Sequence, residues 1–248
     1  ITTSIMHKPW NGQTYDPFES MVTWLKKADG SWWFDYTVFD KWVEFMMSLG
    51  VDSQINCYSM IPWRLSFQYF DQAANAFRFL SAKPGEPEYE QFWTVMLRSF
   101  ASHLKEKGWF DITMIAMDER PMQHMLDAVS VIKKADPDFK IAFAGNCHEE
   151  LLDVLDYYCI PMEQNFPEGA VERRRKNGMT TTWYTSCAEA WPNTFTFSGP
   201  AQAEWMGWYI AAKGLDGYLR WAYNSWPADP MNDSRFTSWA AGDTYLVY

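Results

Sequence analysis

The sequence predicts an α/β fold built as a (β/α)8-like, TIM-type barrel, and three observations predict it. Short apolar runs of strand length recur along the chain, each followed by a stretch with apolar residues at helical spacing, the alternation that gives a parallel sheet. Polar and aromatic residues gather directly after those runs, on the edge where barrel enzymes keep their chemistry. The 248 residues are enough for one domain of this kind.

Taken in order, Ile1-Thr-Thr-Ser-Ile-Met6 reads as a strand, and Pro9 and Gly12 mark a loop after it that carries His7 and Trp10. Phe39, Trp42, Val43, Phe45, Met46 and Leu49 give helical spacing over 35–49, with Gly50 as the stop. A second strand over 51–58 ends in Asn56-Cys57-Tyr58-Ser59. Alternation over 63–79 around Asp71-Gln72 predicts a short hairpin inserted above the sheet, and Trp63 opens it. After the break at Pro84-Gly85-Glu86-Pro87, the strongest helix covers 88–107, with Phe92, Val95, Met96, Ser99, Phe100 and Leu104 on one face and Gly108 beyond its end.

Ile112 to Met117 is a continuous apolar run, suited to a strand buried on both faces. It stops at Asp118-Glu119, and after Arg120-Pro121 the residues Met122, Met125, Leu126, Val129 and Ile132 return to helical spacing. The next strand, over 140–144, ends in Gly145-Asn146-Cys147-His148, and a short helix is expected over 149–155. A strand over 157–162 ends in Glu163-Gln164-Asn165, and a helix over 169–177 is closed by Gly178. A strand over 180–187 holds Tyr184 and is followed by a loop with Glu189, Trp191, Pro192 and Asn193. Pro200 opens a helix to Lys213, and a strand over 217–221 runs into Ala222-Tyr223-Asn224-Ser225-Trp226. Tyr245-Leu-Val-Tyr248 reads as a closing strand.

The main-sheet strands begin at Thr2, Val51, Ile112, Lys140, Tyr157, Thr180 and Gly217, one fewer than the eight of a full barrel. The count predicts that the first barrel strand precedes residue 1 and that the Thr2 and Gly217 strands flank a gap. Residues 1–248 are then a single barrel domain, an excerpt of a longer protein that carries an upstream domain.

Composition limits the partners. A net charge of -10 and a pI near 4.9 disfavour nucleic acid, which needs a field of Lys and Arg. The one dense basic run, Arg173-Arg174-Arg175-Lys176, reads as a solvated helix face. Cys57, Cys147, Cys159 and Cys187 show no CxxC pairing, so buried free thiols are expected rather than a metal site, and no cofactor is implied. No apolar run approaches membrane-spanning length.

Trp, Tyr and Phe make up 18% of the chain. Such side chains fill cores, and they also suit sugars, whose axial C–H bonds form an apolar patch against a ring. Trp221, Tyr223 and Trp226 are candidates for a sugar platform, with Trp63 a further one. His7 and His148 are candidates for sugar hydroxyls or are satisfied structural histidines. Asn56, Asn146 and Asn224 follow or close strands, as site residues or as turn formers.

The Asp118-Glu119 doublet has two readings. Acidic side chains complement a helix N-terminus and cap its free amides. Alternatively the pair is catalytic, since neighbouring strand side chains diverge and both can enter one site only where the pleat ends. An acid set among Trp rings would have its pKa raised by desolvation and stay protonated near neutrality, as a general acid requires.

The stretches Trp10-Asn-Gly-Gln-Thr-Tyr-Asp-Pro, Ile55-Asn-Cys-Tyr-Ser-Met, Met117-Asp-Glu-Arg-Pro, Trp183-Tyr-Thr-Ser-Cys, Pro192-Asn193 and Leu219-Arg-Trp-Ala-Tyr-Asn-Ser-Trp resemble bacterial proteins related to the β-N-acetylgalactosaminidases of glycoside hydrolase family 123. The resemblance implies retaining hydrolysis of a β-linked N-acetylhexosamine in a glycan or glycolipid, with the 2-acetamido group of the substrate as nucleophile. It implies Glu119 as general acid/base, Asp118 as the group that holds the acetamide N–H, and Tyr184 as the hydroxyl that grips the acetamide oxygen. It also implies an extracellular or periplasmic setting. Two alternatives stay open: a conventional retaining glycosidase with Glu163 or Glu189 as nucleophile, and a carbohydrate-binding barrel without turnover.

Overall fold

The computed structural model describes all residues except Gly12 to Thr14, Pro17, Phe236 to Ser238 and Tyr248. Part of the first resembling stretch and the end of the expected closing strand therefore lie outside the described residues. The main sheet is parallel and has seven strands: β1 (Thr2–Ser4), β4 (Ile55–Tyr58), β7 (Thr113–Met117), β8 (Lys140–Ala144), β9 (Tyr157–Pro161), β10 (Thr180–Thr185) and β11 (Gly217–Arg220). They run in that order across the sheet, with β1 and β11 at its ends. All seven expected strands form. A second sheet, in the order β3-β2-β5-β6, is made from β2 (Thr23–Lys26), β3 (Trp32–Asp35), β5 (Ser66–Asp71) and β6 (Ala76–Ser81).

The chain divides into two compact units, the first reaching to Ala142 and the second starting at Phe143, with Tyr15 and Asp16 counted with the second. In the first unit, β7 is buried at all five residues, as its apolar run predicts. It lies parallel to β4 with Cys57 opposite Ile115, and β4 lies parallel to β1 with Thr3 opposite Cys57. Helix α2 (Pro87–Lys107) starts with Pro in its first turn and ends at Gly108, whose left-handed φ of 72° suits glycine. Glu88 and Glu90 near its start and Lys105 and Lys107 near its end complement the helix dipole.

The buried face of α2 carries the small sheet. Phe92 stacks on Trp24 at 4.6 Å, and the Trp93 ring meets Trp24 edge-on at 5.2 Å. Phe67 of β5 packs against Tyr89, Phe92 and Trp93. Each such buried aromatic contributes about 1.5–3 kcal/mol. Much of the aromatic excess in this unit is thus core. The β5–β6 hairpin has the expected turn after Asp71, and Asn75 takes a left-handed φ of 49° there.

The β2–β3 hairpin was not expected. It turns through Asp29-Gly30, with Gly30 at φ 85°, and displaces the start of the first helix to α1 (Thr37–Ser48). Asp35 belongs to β3 and accepts the Thr37 N–H at 2.9 Å, so it precedes the helix rather than entering it. Helix α3 (Met122–Ala135) buries Met125, Ala128, Val131 and Ile132, while Leu126 stays exposed.

In the second unit, β9 and β10 pair over five residues, and β10 pairs with β11. Helices α4 (Ala170–Lys176) and α5 (Pro200–Lys213) fall as expected. The helix expected over 149–155 is only a 3-10 turn at Glu149–Leu151: the Leu152 and Val154 N–H groups return to carbonyls three residues back, and the Leu152 and Leu155 carbonyls accept from the Arg174 guanidinium instead of continuing a helix. Among the described residues the expected closing strand is reduced to a single antiparallel bridge from Tyr245 to Asn224.

The basic run also departs from expectation, because Arg174 is fully buried. It donates to the carbonyls of Leu155 at 2.9 Å and Thr180 at 3.0 Å, to Thr181 Oγ1 at 3.0 Å and to the Leu152 carbonyl. Burial lowers its pKa from the ordinary value, and those carbonyls answer the charge with dipoles. Cys57 and Cys159 are buried thiols, each pushed up to about 12 by burial. Cys147 is half-buried and Cys187 exposed, because both lie on loops past strand ends rather than within strands.

Arg174 ties the segment before β9 to the start of β10, so its removal leaves several buried carbonyls without donors. Arg174→Ala should lower unfolding free energy by on the order of 3–5 kcal/mol in urea titrations. A loss under about 1 kcal/mol would show that water replaces the guanidinium there.

Candidate active site

At the end of β7 the buried run gives way to Asp118 and Glu119, and their side chains part. Asp118 is half-buried and Glu119 is exposed. Oδ2 of Asp118 accepts the Trp63 Nε1–H at 2.9 Å, and Oδ1 accepts the Glu119 backbone N–H at 2.9 Å. The guanidinium of Arg120 lies over the Trp63 ring, 5.1 Å from its centroid. Burial raises the Asp118 carboxyl above the usual carboxylate range, while the Trp63 donor, the Glu119 amide and the Arg120 charge each act to lower it. Burial likewise lowers Arg120, and the Asp118 charge opposes that.

The helix-cap reading of the doublet fails. The N-cap position of α3 is Pro121, no side chain caps it, and its first turn contains no acidic residue. The expectation of an acid enclosed by tryptophan applies to Asp118; Glu119 is exposed.

Trp63 is held from several sides. Its backbone N–H donates to the Pro9 carbonyl at 3.1 Å, and Ile61 N–H donates to Ser59 Oγ at 3.1 Å. The buried Tyr89 hydroxyl donates to the Met60 carbonyl at 2.9 Å. The segment entering the hairpin is thereby fixed against β1's loop and α2, with Trp63 39% exposed.

The other first-unit candidates are engaged elsewhere. His7 Nδ1 pairs with Glu19. Asn56 sits inside β4, not in a turn, and its Oδ1 accepts Gln54 Nε2 at 2.7 Å. The first unit therefore brings Asp118, Glu119 and Trp63 together and adds Arg120.

In the second unit, Tyr184 is buried near the end of β10, and its carbonyl accepts the Met162 N–H at 3.1 Å. Asn146 and His148 share one network: Gln164 Nε2 donates to Asn146 Oδ1 at 2.7 Å, and the Tyr158 hydroxyl links the Asn146 carbonyl to the His148 N–H, both at 2.7 Å. Trp221 meets Trp239 edge-on at 5.2 Å. Tyr223 is 60% exposed, and Trp226 donates its Nε1–H to the Val247 carbonyl at 2.8 Å. Glu163 is exposed, whereas Glu189 turns back on its own loop to accept the Ser186 N–H at 2.6 Å.

A buried cluster in this unit escaped the sequence reading. Arg220, with a side chain only 2% exposed, pairs with Asp243 and donates to the Thr185 carbonyl at 2.9 Å and to Asn193 Oδ1 at 3.0 Å. Asn193 in turn donates to the carbonyls of Ser186 at 2.7 Å and Glu189 at 2.6 Å, which fixes the loop after β10. The available signal was a lone Arg ending an otherwise uncharged strand, which has to find an anion when buried. Among the described residues no group of His, Cys, Asp and Glu is arranged to hold a metal ion, and no helix is long and apolar enough to cross a membrane.

The raised Asp118 pKa fixes the sign of a stability effect. Below the unfolded pKa of about 3.9 the group is protonated in both states and costs nothing. As pH rises through the higher folded-state pKa the folded protein must carry a charge that burial disfavours, and the cost is complete above it. Asp118→Asn should therefore unfold at higher urea than the parent at neutral pH, with the difference closing towards about pH 3.9. Equal midpoint shifts at both pH values would contradict this.

The chain matches the family model described as glycoside hydrolase 123, catalytic domain, over residues 1–248. A solved structure, reported as a family 123 glycoside hydrolase from Clostridium perfringens in a study of glycolipid glycan hydrolysis, superposes with a TM-score of 0.91 at 33% sequence identity. The match covers 100% of this chain and 46% of that one. No match is found among curated proteins.

Proposed function

Because the chain belongs to glycoside hydrolase family 123, as a catalytic domain of that family of glycosidases, we propose that it hydrolyses β-linked N-acetylhexosaminides, N-acetylgalactosaminides in particular, with retention and with the substrate's 2-acetamido group as nucleophile. The observation that carries the reading is the division of the doublet at the end of β7. Asp118 is drawn inward and held by two N–H donors, while Glu119 remains exposed beside it.

In the proposed reaction the acetamide oxygen attacks the anomeric carbon as the glycosidic bond breaks, and Glu119 gives its proton to the departing oxygen. Asp118 accepts the acetamide N–H and supports the positive charge of the oxazolinium ring. Water then attacks the same carbon, Glu119 takes its proton, and the ring reopens, so two inversions give retention. Tyr184 is assigned the acetamide oxygen on the family resemblance. The carboxylate left on Asp118 has free lone pairs for this, since each oxygen has accepted only one hydrogen bond from the protein among the described residues.

The solved relative's glycolipid glycans suggest a glycan or glycolipid as the natural substrate, cleaved outside the cell or in the periplasm, by the longer protein to which this domain would belong. An eighth strand from that protein would complete a (β/α)8 barrel.

A panel of p-nitrophenyl glycosides tests the reading on the full-length protein. N-acetylgalactosaminides should turn over, the matching sugars without a 2-acetamido group should not, and a thiazoline mimic of the cyclised intermediate should inhibit. Glu119→Gln should lower kcat by roughly a hundredfold to ten-thousandfold, with a smaller loss on leaving groups that need no proton. A glycosyl ester trapped on Glu163 or Glu189 would replace this mechanism with the conventional one, and binding without turnover would make the domain a carbohydrate-binding module.

A further inference from the structure

We propose that Arg120 and Trp63 are positioning residues for Asp118: the guanidinium clamps the indole face, and the clamped Nε1–H fixes the carboxylate in the orientation that receives the acetamide. This rests on the role proposed above for Asp118. The geometry is a relay of two contacts, Arg120 over the Trp63 ring at 5.1 Å and Trp63 Nε1 to Asp118 Oδ2 at 2.9 Å.

Arg120 is two residues from Asp118, yet among the described residues it makes no ion pair with it within hydrogen-bonding reach. Its Nε is buried without a protein partner there, so the guanidinium is committed to the ring rather than to a carboxylate. A direct bidentate pair would take lone pairs from both carboxylate oxygens and tie the anion to a cation. Interposing an indole keeps the positive charge close while costing Asp118 one lone pair, which goes to the N–H. The cation on the ring face also stiffens the indole, because an Arg over Trp is a favourable contact that fixes the plane.

The consequence is electrostatic as well as geometric. Burial alone would favour the neutral acid, and a protonated Asp118 cannot support an oxazolinium. The groups that act against burial and favour its charged form are the Trp63 N–H, the Glu119 amide and the Arg120 charge.

Three variants separate the contributions. Arg120→Met keeps the stem and removes the charge, Arg120→Lys keeps a charge and loses the planar stack, and Trp63→Phe keeps a ring and loses the donor. In full-length enzyme, Trp63→Phe should lower kcat about tenfold to a hundredfold with little change in KM, the size of a hydrogen bond to a charged group. Arg120→Met should move the acidic limb of the kcat/KM profile to higher pH, and Arg120→Lys should restore the limb position better than the rate. Carbon-13 titration of the Asp118 carboxyl should show the same upward movement in Arg120→Met and Trp63→Phe. In the unmodified protein, the Trp63 indole N–H resonance should titrate with the Asp118 carboxyl, a reading that needs no variant to fold. An indole resonance indifferent to that titration, or an acidic limb and carboxyl titration unmoved in Arg120→Met, would overturn the proposal. Because the resonance titrations need no turnover, they stand or fall separately from the hydrolytic mechanism.

Discussion

Asp118 leaves the sheet where five consecutive buried residues end, and a carboxylate cannot sit there unanswered. Two N–H donors and a guanidinium nearby answer it. Much of the first unit can be understood as what that requires. Trp63 has to stand at a fixed place beside the end of β7, so the segment leading into the hairpin is pinned by Pro9, Ser59 and Tyr89. Tyr89 is itself anchored because it belongs to the buried face of α2, on which the small sheet rests. The aromatic cluster of Trp24, Phe67, Phe92 and Trp93 therefore bears on the site through packing, although none of its members is polar enough to suggest it.

The main sheet was legible in the sequence because its signals are local. A run as apolar as that of β7, buried at all five residues, suits a strand covered on both faces, and Pro87, Gly108 and Pro200 mark helix ends through backbone geometry that their neighbours do not alter. What escaped depended on partners distant in the chain. Asp29-Gly30 is a turn signal, but strands of four residues such as β2 and β3 are too short to show alternation against the strong helical spacing that follows. Arg174 has the spacing of a solvated helix residue and is buried only because carbonyls of Leu152, Leu155 and Thr180 converge on it. Tyr245 to Val247 has strand composition without a neighbouring strand, so only a bridge forms.

The same distinction applies to the site. The doublet was visible because an abrupt change from apolar to acidic at a strand end is a local event. Its surroundings were legible only in part: Trp63, 55 residues away, stood out as a candidate sugar platform, while its N–H bond to Asp118 depends on a meeting that no local signal shows. Arg120 stood next to the doublet and could have been noticed as a charge of opposite sign. Its role emerges only when the ring between it and Asp118 is seen. Arg220 and Asp243 show the complementary case, where each residue is unremarkable alone and their meeting in a buried pair fixes a loop through Asn193.

Two adjacent carboxylates of nearly the same chemistry can do different work only if their environments differ, and the end of a strand supplies that difference at no further cost in sequence. A group proposed to hold a substrate amide benefits from being fixed by donors that offset the effect of burial on its charge, as Asp118 is by two N–H groups. In the proposed assignment the proton carrier is Glu119, which stands exposed beside it and meets solvent water, the reactant of the second step. Exchanging the two assignments would ask the enclosed carboxylate to move protons past an indole and the exposed one to orient an amide against solvent competition. The proposed order of roles follows this division, with the residue just past β7 and held by two N–H donors as the holder and the exposed one after it as the proton carrier.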